Sequence, residues 1–340
     1  MRSERSTTLF TRRSFLGSGL AATAGLMGLR TSPARAEPAP ETTTIRVHES
    51  TSSCLAPQYM AEELLRAEGF TDIRYVKRED TGGTYRALSS GAADIANDFA
   101  PLLIMHVDAG DPITILGGVH VGCFELFGTD RVRSIRDLKG RTVAVRELGS
   151  PAHAFLASMA AYVGIDPTQD INWAVHPSTE AVKLLAEGKI DAFMGFPPDP
   201  QEFRAKHVGR VIVSSAVDRP WSQYFCCMSA ANQDFARKHP VAVKRALRAI
   251  LKAADMCALQ PERAARVVVD RGIASRYDYA LQAIRDIPYG KWREFDPEDT
   301  VRFYALRLQE AKMIKLTPQR VIAQGTNWRF LNEIKKELKV

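Results

Sequence analysis

The sequence contains no C-x-x-C pair, no H-E-x-x-H, no G-x-S-x-G, no P-loop and no G-x-G-x-x-G. These absences remove the usual signatures of zinc ribbons, thioredoxin-like centres, zinc peptidases, serine hydrolases and nucleotide-binding enzymes. The seven histidines, at 48, 106, 120, 153, 176, 207 and 239, show no metal-ligand grouping. Cysteine is sparse and odd in number: Cys54, Cys123, Cys226, Cys227 and Cys257. In an oxidising compartment at least one thiol is therefore left unpaired within the chain. A bond between the adjacent Cys226 and Cys227 would be a strained vicinal disulfide; buried apolar thiols are the plainer expectation. No companion histidine stands at ligand spacing from that pair, so no metal site is expected. Beyond the N-terminal segment no stretch is long and apolar enough for a membrane helix.

What is present begins at the N-terminus. Thr11-Arg12-Arg13-Ser14-Phe15-Leu16 is a twin-arginine export signal, followed by a Gly/Ala-rich apolar run from Gly17 to Leu29. Ala34-Arg35-Ala36 has the small-x-small form of a signal-peptidase site, and cleavage there would release a chain starting at Glu37. The alternative is a signal anchor that stays on the protein. No cysteine follows the apolar run directly, which argues against a lipid anchor at that place. The formal charge of +7 belongs largely to this segment. Removing its six of 46 basic and one of 39 acidic side chains leaves 40 against 38, about +2. A basic surface for nucleic acid is therefore not indicated.

From Ile45 onward, short β-prone runs alternate with helical ones, the rhythm of an α/β chain with largely parallel strands. The pattern predicts strands at 45–47, 73–76, 93–96, 113–117 and 124–128, with helices at 57–67, 84–90 and 101–109. A second unit begins near Arg131, with strands at 142–145, 172–175, 192–195 and 211–214 and helices at 151–163 and 179–187. Residues 37–43, rich in Pro and Thr, read as a disordered leader. Helical runs at 232–259, 261–271, 277–287, 297–310 and 327–338 form a tail that could pack back on the first unit. An internal echo links the units. Leu88-Ser89-Ser90-Gly91-Ala92-Ala93-Asp94-Ile95 resembles Leu185-Ala186-Glu187-Gly188-Lys189-Ile190-Asp191-Ala192: helix end, glycine cap, Asp, strand.

These runs, with Asp137-Leu138-Lys139-Gly140-Arg141-Thr142-Val143-Ala144-Val145, resemble the substrate-binding proteins of nitrate, sulfonate and taurine ABC importers. They are also similar to the branch that binds thiamine-precursor pyrimidines. The resemblance implies an α/β, two-lobed periplasmic binding protein of type II, each lobe a mixed sheet flanked by helices. The first lobe would be 44–126 plus 229–340 and the second 127–228, joined by two hinge strands. It implies a small organic solute in the cleft, an ABC permease in the inner membrane as partner, no catalysis, no cofactor and a monomer. One related branch consists of pyrimidine-synthesising enzymes that use pyridoxal phosphate and a run of cysteines, where this chain has only Cys226-Cys227. A ligand-sensing module for a membrane receptor is a further alternative.

In open α/β sheets ligands sit beyond the carboxyl ends of strands. Those ends here hold Ser52, Ser53 and Cys54; Asn97, Asp98 and Phe99; Glu147, Ser150 and His153; and Phe196. Ser52–Cys54 and Ser150 precede helix starts whose free N–H groups suit an anion, as could Gly82-Gly83-Thr84; simple capping is the alternative. Phe99, Phe196, Trp221 and Tyr224 could stack on a flat ligand or belong to the core. In the first case, Trp221→Ala weakens binding and leaves the fold intact. Asn97, Asp98, Glu147 and His153 could orient a ligand, or serve as caps and ion-pair partners.

Overall fold

The computed structural model describes residues 37–50, 52–77 and 83–339. The export signal predicted over residues 1–36 and Gly82 lie outside the described residues. No described helix is long and apolar enough to cross a membrane.

The strands, in chain order, are β1 (Thr44–His48), β2 (Asp72–Val76), β3 (Ile95–Phe99), β4 (Ile113–Val121), β5 (Glu125–Gly128), β6 (Thr142–Val145), β7 (Asn172–Val175), β8 (Ala192–Gly195), β9 (Arg210–Ser214) and β10 (Phe225–Asn232). They form two five-stranded mixed sheets, ordered β2-β1-β3-β10-β4 and β7-β6-β8-β5-β9. In the first, β1 lies parallel to β2 and β3, and β10 antiparallel to β3 and β4. In the second, β6 lies parallel to β7 and β8, and β5 antiparallel to β8 and β9. The echo read in the sequence thus falls at the same place twice, on the helix that feeds the central strand of each sheet. Gly91 and Gly188 end those helices at positive φ, 75° and 67°, as a left-handed cap requires.

Two connections cross between the sheets: Gly122–Phe124, from β4 to β5, and Ser215–Tyr224, from β9 to β10. They are tied to each other. The Ser215 hydroxyl accepts from the N–H groups of Cys123 (3.1 Å) and Phe124 (2.9 Å), and donates to the Phe124 carbonyl (3.1 Å). The Ser215 N–H also donates to that carbonyl at 2.9 Å. Gly122 sits at φ 58°, and a Cβ there would lie 2.3 Å from the Ala216 backbone. Only glycine allows this approach.

Helix starts follow their caps. Ser150 accepts from the His153 N–H ahead of Pro151, and Asn232 from the Phe235 N–H. The tail helices pack on the first sheet, where Asn327 N–H donates to the Ile115 carbonyl at 2.9 Å. All nine residues of β4 are buried in consequence. One apolar core runs through both lobes, and a smaller cluster around Phe127, Phe193 and Phe203 lies inside the second.

Three expectations are corrected. The leader is ordered from Pro38: both carboxylate oxygens of Glu41 accept, at 2.9 Å, from the Val241 and Ala242 N–H groups at the start of the Pro240–Leu259 helix. A negative charge is favoured at such an end. Strand β3 runs three residues beyond the predicted end at 96 and reaches Phe99, because it pairs with β10 as far as Phe99 opposite Cys227. Asn97, Asp98 and Phe99 are therefore strand residues. Asp199 opens a helix, Asp199–Ala205, that the periodicity did not reveal because Pro198 and Pro200 flank its first residue.

Candidate functional site

Five side chains from four places in the sequence meet under the crossing connections. After β1 the chain makes a buried turn through Ser52, Ser53 and Cys54. The Ser52 hydroxyl lies 3.0 Å from the Cys54 sulfur, and the Tyr289 hydroxyl donates to the Cys54 carbonyl at 2.7 Å. Against Cys54 stand His120 near the end of β4, Cys123 on the first crossing connection, and Cys227 on β10. Cys226 completes the cluster, with its sulfur 3.1 Å from that of Cys123 and 3.9 Å from that of Cys227. All four thiols and the imidazole are buried. Hydrogen bonds from the Cys123 and Cys227 thiols, with His120 beside them, hold the Cys54 thiol well below its usual range against the cost of burial. Burial drives Cys123, Cys226 and Cys227 well above it.

Beside Cys123 opens a cavity of about 300 Å³. Its walls come from both lobes: Glu125, Gln201 and Arg204 on the second, and Asp286 and Ile287 from the end of the Tyr277–Asp286 helix region on the first. The Arg204 guanidinium donates to Glu125 at 3.0 Å and to Asp286 at 2.8 Å, joining the lobes across the mouth. Burial raises the Glu125 carboxyl above its ordinary range; Arg204 opposes the rise and Asp286 adds to it. Glu125 Oε2, Gln201 Oε1 and Arg204 Nε are buried and have no hydrogen-bond partner among the described residues. Nearby, Arg146 pairs with buried Asp199, donates to the Ser178 hydroxyl at 2.6 Å and covers the Phe196 ring at 5.2 Å. Burial raises the Asp199 carboxyl despite Arg146.

The residues predicted from sequence divide into three groups. Ser52, Ser53 and Cys54 reach the buried cluster, where the Ser53 hydroxyl has no partner among the described residues. Phe99 and Phe196 meet through Phe124, at ring-centroid distances of 4.8 and 5.4 Å, so the two strand ends converge. Phe99 is enclosed further by Phe155 and Tyr304. Trp221 is only 2% exposed and packs on Phe155, Tyr162 and Phe303, and Tyr224 stacks on Phe303 at 3.9 Å. Trp221 therefore offers no open wall: it fills the seam between the Pro151–Tyr162 helix of one lobe and the Pro297–Glu310 helix of the other.

Asn97 is buried and bonded to Gln58 and to Ser229 of β10. Asp98 accepts from the Phe99 N–H at 2.6 Å. Ser150 caps its helix, Glu147 is exposed, and His153 accepts from the Gly149 N–H at 3.0 Å. The His153 ring meets the edge of Trp173 on outer strand β7, and burial lowers its affinity for a proton. These three do not join the Cys54 cluster. His120, Cys123, Glu125 and Arg204 were missed. Only the odd cysteine count pointed toward any of them. No histidine stands at ligand spacing from Cys226-Cys227 in the sequence, but the fold places His120 beside Cys227 although 107 residues separate them in the chain.

A family model described as NMT1/THI5 like matches residues 55–264. No curated protein sequence matches the chain. Among solved structures, the periplasmic nitrate-binding protein NrtA from Synechocystis PCC 6803 is 18% identical, covers 89% of this chain and 91% of its own, and superposes with a TM-score of 0.67. The alkanesulfonate-binding protein SsuA from Xanthomonas axonopodis pv. citri, bound to MOPS, gives 16%, 86%, 99% and 0.66. The desulfurization enzyme DSZB gives 14%, 87%, 99% and 0.59. At such identities the shared property is the fold, two lobes that are each a mixed sheet flanked by helices.

Proposed function

The chain belongs to the NMT1/THI5-like family and has the two-lobed fold of periplasmic binding proteins; from this we propose that it captures a small organic solute between its lobes and presents it to an ABC permease. The observation that carries the reading is the cavity of about 300 Å³ walled by both lobes, with three buried polar atoms left without partners among the described residues. Buried polar groups are nearly always satisfied, so such a set marks a place for a polar guest. Two of these atoms, Glu125 Oε2 and Gln201 Oε1, can accept and one, Arg204 Nε, can donate, which suits a small guest carrying both donor and acceptor groups, and the guest would bind best when the lobes are together. In this reading lobe closure is what the permease recognises, and the protein acts as a monomer in the periplasm. The twin-arginine motif and the Ala36 site support export by that route. Replacing Arg12 and Arg13 by lysine should leave the protein in the cytoplasmic fraction.

The test is thermal unfolding of the chain from Glu37 with alkanesulfonates, aromatic carboxylates, pyrimidines and nitrate. A ligand at 100 times its Kd adds about 2.7 kcal/mol, or several degrees in Tm. The shift should vanish in Arg204→Ala, and the solute should be recovered chemically unchanged. Silence across all four classes, or a converted solute, overturns the reading.

A further inference from the structure

The geometry points to a binding site for a thiophilic d10 cation, Zn(II) or Cu(I), made by Cys54, His120 and Cys227 at the root of the crossing connections. One ligand atom from each of these residues, the two sulfurs and a ring nitrogen, lies within 4.8 Å of the others, and all three residues are buried. A tetrahedral zinc centre with Zn–S of about 2.3 Å and Zn–N of about 2.0 Å sets neighbouring ligand atoms roughly 3.5–3.8 Å apart. Contraction by about 1.3 Å or less on each edge therefore completes the triangle, within reach of rotamer adjustment.

Four further observations make this more than a gathering of core thiols. First, His120 is fully buried and its Nε2 has no hydrogen-bond partner among the described residues, while Nδ1 faces the Val121 carbonyl at 3.3 Å. That carbonyl selects the tautomer with the proton on Nδ1 and leaves the Nε2 lone pair available, the usual arrangement behind a metal-bound histidine. Second, the Ser52 hydroxyl at 3.0 Å from the Cys54 sulfur supplies an outer contact to a thiolate. Third, Cys123 adjoins Cys54 and Cys227 and also lines the 300 Å³ cavity. It offers a fourth ligand, a third sulfur, and marks the route by which a cation reaches the others. Fourth, thiolate and imidazole with no carboxylate among the three ligands select soft and borderline cations over Mg(II) or Ca(II).

The assignment does not depend on the solute or the permease. It is tested on the reduced chain from Glu37, titrated separately with Zn(II) and Cu(I) against chromophoric chelators, with Co(II) as a spectroscopic probe. One equivalent should bind. The cobalt form should show intense sulfur-to-metal charge transfer, and X-ray absorption of the zinc or copper form should show a mixed sulfur and nitrogen shell. His120→Gln, Cys54→Ser and Cys227→Ser should each lower affinity at least tenfold, while Cys257→Ser, from the Pro240–Leu259 helix, should match the parent. Binding by one of the two cations or by both supports the site and identifies its ion. An oxygen-only shell, no charge transfer in the unmutated protein, or an affinity unmoved in all three variants overturns it. The spectra of the parent keep the test decisive should a variant fail to fold.

Discussion

The two sheets have the same wiring in different surroundings. In the first, the Asp94 N–H donates to the Arg46 carbonyl at 2.8 Å, and the Asp94 carboxylate accepts from the Arg46 N–H at 2.7 Å. In the second, the Asp191 N–H donates to the Thr142 carbonyl at 2.8 Å, and its carboxylate accepts from the Thr142 N–H at 3.0 Å. Each aspartate thereby clips the start of one parallel strand to the entry of the central one, and each also binds an arginine, Arg46 or Arg131. The repeated Gly-x-x-Asp run thus serves as a folding element in both lobes. The lobes differ in what covers them. Tail helices bury β4 completely, whereas outer strands β7 and β9 of the second lobe are partly exposed. Identical local chemistry therefore sits deeper in the first lobe, where the Asp94 side chain is 2% exposed, than in the second, where that of Asp191 is 12% exposed.

The seam between the lobes gives the largest expected effect. Trp221→Ala should cost about 3–5 kcal/mol, as for a buried aromatic, and because one core spans both lobes the parent should unfold in a single calorimetric transition. Two separated transitions would break the picture of a joint core. Next comes the matched pair of aspartates. Asp94→Ala should cost about 3 kcal/mol and Asp191→Ala roughly half of that, since side-chain exposure is 2% for the first and 12% for the second. Equal losses in urea unfolding would deny any difference in depth.

Between the lobes, Ser215→Ala removes an acceptor from two buried N–H groups and should cost about 1–2 kcal/mol. Hydrogen exchange should quicken at Cys123 and Phe124 and not within β4. The smallest effect is a pH dependence at Glu125. Its folded-state affinity for a proton is raised above the ordinary 4.5, so this contribution is complete below that value and lost as pH rises through the raised one. The stability of the parent relative to Glu125→Gln should therefore fall across that window and stay level at higher pH. A difference that grows with pH would reverse the assignment of burial as the leading cause.

How much of this was legible differs by element. The Ser150-Pro151 start, the glycine caps and the strand–helix alternation were readable because they depend on neighbours a few residues apart. The length of β3 was not, since its last residues are held by β10, more than 120 positions later. Aromatic residues showed their type but not their setting: Phe196 beside Arg146 and Trp221 inside the seam look alike in a sequence. Cys54, His120 and Cys227 carried no spacing signal, because three separate elements deliver them.

The amino-acid sequence alone determined the α/β alternation, the doubled Gly-x-x-Asp unit and the places where strands give way to helices. Periodicity, capping and turn chemistry act over short stretches and need no partner from elsewhere. Only the tertiary structure decided which side chains share a chamber, because antiparallel β10 returns from the second lobe to lie between β3 and β4. That one pairing brings sulfur, imidazole and the crossing connections together, and long-range strand register is a property of the packed whole.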